Sequence, residues 1–316
     1  MKIVIVGYGE MFRALIAGVL KTSHEIVGVF RQENLLQPNF KRIIYDFLKP
    51  SLDHNYIETH QLNEIKAKSV NSPQFIEAIK KLKADVILVG SWSEKFSMQT
   101  INAPKKSCIN VHPSLLPKYR GPNPYLQVIL NNEKKTGVTF HLMDVNYDTG
   151  SILHQSEINI LENDTGESLK HRCCDLARNE VNILLDNLSS KLKEQKSQNE
   201  KEATYQHQIS LKESILDFKN ETASEIDRRI RALTPWLNCH IPYKNEFFTF
   251  SNYKICHKTS KKHPASIVKK TENSLFIVCK DGGVIEFTSL KLKRPFPKVF
   301  TKIYLKKIVK TNEQAI

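Results

Sequence analysis

Three side chains near the middle of the chain could together carry an acyl transfer. Asn110 and His112 stand two apart in the run Ser107-Cys-Ile-Asn-Val-His112, and Asp148 follows in Tyr147-Asp-Thr-Gly150. Residues two apart on a strand face the same way, so a buried strand over 107–111 turns the amide and the imidazole into one space and Val111 into the core. An amide can donate to an oxygen that is gaining charge. An imidazole can take the proton of an attacking amine. A carboxylate can orient that imidazole and stabilise its charged form, as the third member of a triad does. No Ser or Cys sits in a nucleophile elbow, which leaves the attack to a group of the substrate. Asp144, four residues before Asp148, supplies a second carboxylate to the same turn.

These residues need elements to hold them. Ile3 to Val6 reads as a first buried strand, and Gly7-Tyr-Gly9 as the turn into a helix through Leu20. A dinucleotide site is not expected there: position 12 is Phe rather than the third glycine, and Glu25 to Phe30, the next strand, ends on Arg31 and not on an acid. Asn55 to Thr59 reads as a strand. Ser72-Pro73 supplies an N-cap with proline at the first helical position, and Ala84 to Gly90 is the next buried strand. Pro122 or Pro124 opens a helix through Asn131, and the alternation from Thr136 to Met143 predicts another strand. Asp164-Thr-Gly-Glu167 opens a long helix on which His171 is a surface residue without a role. Strands alternating with helices predict an α/β domain with a Rossmann-like, doubly wound parallel sheet. Ligands of such sheets lie beyond the carboxyl ends of the strands, where Gly90, Asn110 and His112 fall.

Asn110-Val-His112, then Ser114-Leu-Leu-Pro117, Tyr119-Arg-Gly121 and Asp148-Thr-Gly150, in that order and spacing, resemble the folate-dependent formyltransferase family. The resemblance implies transfer of a formyl group from 10-formyltetrahydrofolate to a primary amine, with no metal. Asn110, His112 and Asp148 match the catalytic trio. The resemblance further implies that Ser114, Leu115, Leu116 and Pro117 hold the folate, and that the pterin lies near Val89 and Gly90; Asp144 joins them as a donor-site candidate. The likeness is strong over 85–153 and looser over 204–310, where Thr204-Tyr-Gln-His, Arg228-Arg-Ile-Arg and Leu290-Lys-Leu-Lys-Arg resemble members that carry a second domain.

The expected layout is a formyltransferase catalytic domain over 1–188, a polar linker over 189–203, and a basic second domain over 204–316. Short runs at Phe247–Phe250, Ser274–Cys279 and Val284–Thr288, with a hairpin turn at Asp281-Gly-Gly283, predict a small OB-like β-barrel there. Of 316 residues, 25% are charged and 40% apolar, ordinary for a soluble chain. The apolar runs are of strand length, so no membrane span is expected. Six cysteines without CxxC spacing predict neither a disulfide framework nor a zinc site, and fit a reducing cytoplasm.

The net charge of +14 is uneven. Residues 204–316 hold 21 Lys or Arg against 10 Asp or Glu, and residues 204–240 among them balance at 5 against 5. A basic domain beside a nearly neutral one is the footprint of a polyanion partner. The expected acceptor is the amino group of methionyl initiator tRNA. The alternative is an amino sugar carried on a nucleotide, and a more distant one an inactive nucleic-acid-binding homologue. Two stretches depart from the members that act on tRNA: Gly7-Tyr-Gly-Glu-Met-Phe12 after the first strand, and Arg31 to Arg42, where a basic, glycine-rich loop is usual.

Overall fold

Ile3, Val4, Ile5 and Val6 are all buried to the last atom, a pattern that only a strand covered on both faces can satisfy. In the computed structural model they lie in β1 (Lys2–Gly7), inside a sheet of order β2-β1-β3-β4-β5-β6. The structure describes residues 1–31, 51–243, 246–271 and 273–292. Two units divide the chain: Met1–Tyr125, Lys134–Ile160 and Ser168–His207 form the first, and Leu126–Glu133, Leu161–Glu167 and the chain from Gln208 onward the second.

In the first unit β1 leads through α1 (Gly9–Val19) to β2 (Glu25–Arg31). Helices α2 (Leu52–Thr59) and α3 (Pro73–Lys81) precede β3 (Val86–Gly90), and α4 (Met98–Ile101) precedes β4 (Ser107–His112). Then come α5 (Pro124–Leu130), which belongs to the second unit from Leu126, β5 (Lys135–Leu142), β6 (Ile152–Asn159), α6 (Gly166–Asp186), which belongs to the first from Ser168, and α7 (Leu188–Lys193). Strands β2, β1, β3 and β4 are parallel, whereas β5 and β6 are antiparallel to their neighbours. The sheet is therefore parallel only in its first four strands. The turn over 143–151 between β5 and β6 is too short for a crossover, which needs a dozen residues or more.

One core of this unit gathers Val4, Val6, Phe30, Phe75, Ile79, Ile87 and Val89. Ser72 caps α3, its hydroxyl accepting from the amide of Phe75, with Pro73 in the first turn as expected. The strand expected over 55–59 is instead the second half of α2. Ser51 caps that helix, and its buried positions, Asp53 and Ile57, are four apart, a helical spacing. Asp53 also meets the turn at Gly9, whose φ is +68°. Its carboxylate accepts the Gly9 amide at 2.6 Å and pairs with Arg13. The positive end of α1 is thus occupied by an anion of the chain itself.

The second unit is built on α8 (Ala223–Leu233), whose cap residue Thr222 exchanges hydrogen bonds with Glu225 in a capping box. Its strands are β7 (Ile241–Tyr243), β8 (Glu246–Thr249), β9 (Asn252–Thr259), β10 (Ile267–Lys270), β11 (Ser274–Val278), β12 (Gly283–Thr288) and β13 (Lys291–Leu292). They form antiparallel sheets of order β10-β11-β12-β9 and β13-β8-β7. Leu216, Phe218, Ile226, Phe248, Ile277, Ile285 and Phe287 fill the core. The expected antiparallel β domain is present, as two sheets. Gly282, with φ +77°, makes the hairpin between β11 and β12. Residues 293–316 of the basic second domain, and most of 31–42, lie outside the described residues. Among the described residues no helix is long and apolar enough to cross a membrane, and no cluster of His, Cys, Asp or Glu could hold a metal.

The approach of β1 to β3 yields a prediction. A Cβ on Gly7 would stand 2.1 Å from the Gly90 carbonyl oxygen, whereas one on Gly90 would meet the side chains of Leu15 and Met11 at 2.8 and 2.9 Å. Side-chain ends can shift; a sheet carbonyl cannot. Gly7→Ala should destabilise the fold by about 1–3 kcal/mol and Gly90→Ala by less. Urea unfolding midpoints give the order, and equal midpoints would refute it.

Candidate active site

Asn110 and His112 end β4 on one face, as the alternation predicts. In the antiparallel register with β5, Asn110 lies opposite His141 and His112 opposite Thr139. Directly opposed residues share a face of the sheet, so β5 sets a second imidazole beside the Asn110 amide. The 143–151 turn then folds back and returns Asp148 to the same face. Asp148 Oδ1 lies 3.2 Å from Asn110 Nδ2, 3.4 Å from His112 Nδ1 and 3.6 Å from His141 Nε2. Asp148 Oδ2 accepts the Gly121 amide at 2.9 Å.

The hydrogen-bond partners fix where the protons are. The Tyr119 carbonyl lies 2.8 Å from His112 Nε2, and a carbonyl only accepts, so Nε2 carries the hydrogen. In the neutral ring the lone pair is then on Nδ1, the nitrogen facing Asp148. Likewise His141 Nδ1 donates to the Leu142 carbonyl at 2.8 Å, and its Nε2 accepts from Asn110 Nδ2 at 3.1 Å. Both contacts of the Asn110 amide nitrogen, to Asp148 and to His141, are made within the site.

Burial drives the His112 pKa below its ordinary value, against the raising pull of the Asp148 charge and the Tyr119 carbonyl. Burial pushes the Asp148 carboxyl up, but His112, His141 and the Gly121 amide outweigh it and hold that carboxyl well below the usual range. An ionised carboxylate thus faces a neutral imidazole, poised to stabilise the proton that the imidazole would gain. Two residues of the site have left-handed backbone: Asp148 at φ +58° and Tyr119 at φ +62°. Each such non-glycine residue costs roughly 1–2 kcal/mol and persists only where its surroundings over-determine it.

The donor-site candidates are placed less simply. Val89 is packed in the core, and Gly90 lies under Met11 and Leu15; only their main chain reaches the end of β3. Ser114 is buried and donates to the Lys118 carbonyl at 2.8 Å. The Leu116 amide donates to Thr139 Oγ1 and its carbonyl accepts from Gln155, while Leu115 packs near Gly137. Pro117 follows, its carbonyl accepting the Thr204 amide. Asp144 accepts the Asn146 amide and the Thr149 hydroxyl, a brace of its own turn. His171 is half-exposed and pairs with Glu10.

Sequence reasoning missed His141, the Tyr119 carbonyl, the Gly121 amide and Gln198. The alternation over 136–143 with the pairing of β4 and β5 could have found His141. Gln198 had no signal: it sits in the polar stretch read as a linker. Its Nε2 donates to the carbonyls of Asp148 and Gly150, both at 2.8 Å.

The formyl transferase family model matches residues 1–188, and the model of the formyl transferase C-terminal domain matches residues 208–304. A methionyl-tRNA formyltransferase of Francisella philomiragia is 30% identical over 92% of this chain and 90% of its own length. One of Clostridium novyi is 28% identical over 93% of this chain and 94% of its own. Among solved structures, a sugar 3N-formyl transferase determined with dTDP and 5-N-formyl-THF aligns at a TM-score of 0.63 with 20% identity, covering 94% of this chain and 99% of that one. The N-formyltransferase of Helicobacter canadensis, in complex with folinic acid and dTDP-3-aminofucose, aligns at 0.63 with 21% identity, over 91% and 99%. Such identities speak to the fold alone.

The proton assignment sets an expected pH dependence. The working form of His112 is the neutral ring, so turnover should fall only below the ordinary histidine value of about 6.5. Asp148→Asn removes the charge that raises the His112 pKa, so the acid limb of kcat should move lower still. The rate itself should drop, since the protonated ring loses its counter-charge, by about 100-fold. A limb that moves to higher pH would overturn the assignment.

Proposed function

Because the chain belongs to the formyl transferase family, we propose that it moves a formyl group from 10-formyltetrahydrofolate to the amino group of methionyl initiator tRNA, with Asn110, His112 and Asp148 as the catalytic residues. The observation that carries this is the convergence of the three side chains on one face, with Asp148 Oδ1 at 3.2 Å from Asn110 and 3.4 Å from His112. Near-full-length similarity to curated methionyl-tRNA formyltransferases and the basic second unit support the acceptor.

Each residue then has a task at a stated atom. When bound, the donor supplies a formyl carbon activated by its link to nitrogen. An α-amino group, with a pKa of about 7.7–8.0, is partly neutral near pH 7 and attacks that carbon unaided. His112 Nδ1 takes the proton that the amine loses, Asp148 steadies the resulting imidazolium, and the ring returns that proton to the donor nitrogen as the bond from the formyl carbon to that nitrogen breaks and tetrahydrofolate leaves. Asn110 exchanges its contact with His141 for one with the formyl oxygen as charge builds there. At the end of β3, the buried indole Nε1 of Trp92 has no acceptor, a spare donor that suits the ring acceptors of a pterin. The main chain of Val89 and Gly90, the loop over Ser114, Leu115, Leu116 and Pro117, and the Asp144 turn complete the donor site in this reading.

Tetrahydrofolate release with methionyl initiator tRNA and with nucleotide-linked amino sugars as parallel acceptors tests the proposal. Turnover with the tRNA is expected; turnover with the sugars alone would reassign the acceptor. His112→Ala should lower the rate by about 100- to 10,000-fold with the fold intact. Lys258, Lys261 and Lys262 stand exposed on and after β9. Changing all three to Glu should weaken tRNA binding more at low than at high salt, because each phosphate contact releases counterions. Equal losses at every salt concentration would argue against this face.

A further inference from the structure

We propose that residues 196–206 form part of the catalytic apparatus as a strap, with Gln198 the positioning residue that holds Asp148 against His112. The proposal rests on the reading of Asp148 as the partner of the His112 imidazole.

The Gln198 carboxamide is engaged on both sides. Its Nε2 donates to the Asp148 and Gly150 carbonyls at 2.8 Å each. Its Oε1 accepts from Arg120 Nε at 3.1 Å and Nη2 at 2.8 Å. Only one orientation of the amide satisfies these partners, since the reverse would set an oxygen against two carbonyls and an NH2 against a guanidinium. Arg120 is fully buried and is held in turn by Glu200 and Tyr205 of the same strap, with its guanidinium 5.1 Å from the Tyr205 ring centre. Asp148 is a left-handed residue at φ +58°. Its carbonyl is one of the two that Gln198 grips, so the clamp acts on the strained peptide that aims the carboxylate.

The same strap reaches the other partner of the imidazole. Thr204 Oγ1 accepts the Tyr119 amide, and the Thr204 carbonyl accepts the Arg120 amide, both at 2.8 Å. The Gln206 amide donates to the Arg120 carbonyl at 2.8 Å. A Cβ on Gly121 would lie 2.6 Å from the Gln206 carbonyl oxygen, so the strap lies close against the residue whose amide binds Asp148 Oδ2. Lys196 exchanges backbone hydrogen bonds with Ile152 and anchors the strap to β6. Tyr119 and Asp148, which face the two nitrogens of His112, are thus both fixed from one segment.

The test compares Gln198→Met, Gln198→Glu and Asp148→Asn for kcat, KM and the pH dependence of kcat, with melting temperatures alongside. Gln198→Met removes both donors without adding charge. It should lower kcat by between about 10- and 100-fold, leave both KM values within about threefold, and move the acid limb of kcat lower, towards that of Asp148→Asn. If Gln198→Met does not fold, Gln198→Glu, which keeps Arg120 paired but cannot donate to the two carbonyls, should show the same loss of kcat. A lower melting temperature with kcat and its acid limb unchanged would make the strap a structural brace and overturn the proposal. Near-normal turnover of Asp148→Asn would remove its premise instead.

Discussion

The hydrogen bond from His112 Nε2 to the Tyr119 carbonyl, at 2.8 Å, decides what the rest of the site can do. It commits the ring proton to the side away from Asp148 and leaves the basic lone pair facing the carboxylate. The carboxylate therefore does not orient the ring through a bonded N–H, as in a serine hydrolase; the main chain does that. Asp148 is left free to act on charge. Burial of the imidazole lowers its pKa, and the nearby carboxylate keeps that fall from going further, so two opposed influences set one titration.

Everything around that bond can be understood as keeping two awkward backbone positions in place. The parallel strands bring Asn110 and His112 to the carboxyl end of the sheet, with the close contact of Gly7 against Gly90 setting the spacing of β1 and β3. The switch to antiparallel pairing at β5 serves a different purpose. It lets a short turn double back over the sheet, which a parallel crossover could not do. Gly150 in that turn has no room for a side chain, because a Cβ would lie 1.8 Å from the Leu142 carbonyl oxygen.

The legible part of this architecture was the local part. Asn110 and His112 declare their common face through the alternation of a six-residue strand, and Ser72-Pro73 declares its helix. Asp148 was placed by its motif rather than by any periodicity. His141 needed the register of β4 against β5, which a linear pattern holds only implicitly. Residues 55–59 misled because five residues without their cap at Ser51 show no helical period. Gln198 was out of reach: a polar glutamine in a lysine- and glutamate-rich stretch gives no sign that it will grip two carbonyls. Amphipathic patterning reports which side of an element is wet; it does not report which distant loop will supply a missing hydrogen bond.

The distance along the chain from Asn110 to Gln206 has a consequence for biosynthesis. Strands β1 to β4, with the core around Val4, Phe30 and Val89, are complete once the chain has passed His112. Non-local contacts form late, and domains emerging from the ribosome fold from the amino end first. A nascent chain can therefore hold a well-packed sheet while His112 still lacks the segment that steadies both its neighbours. Chemical competence would arrive only after residue 206 has cleared the exit tunnel, well behind the onset of stable folding.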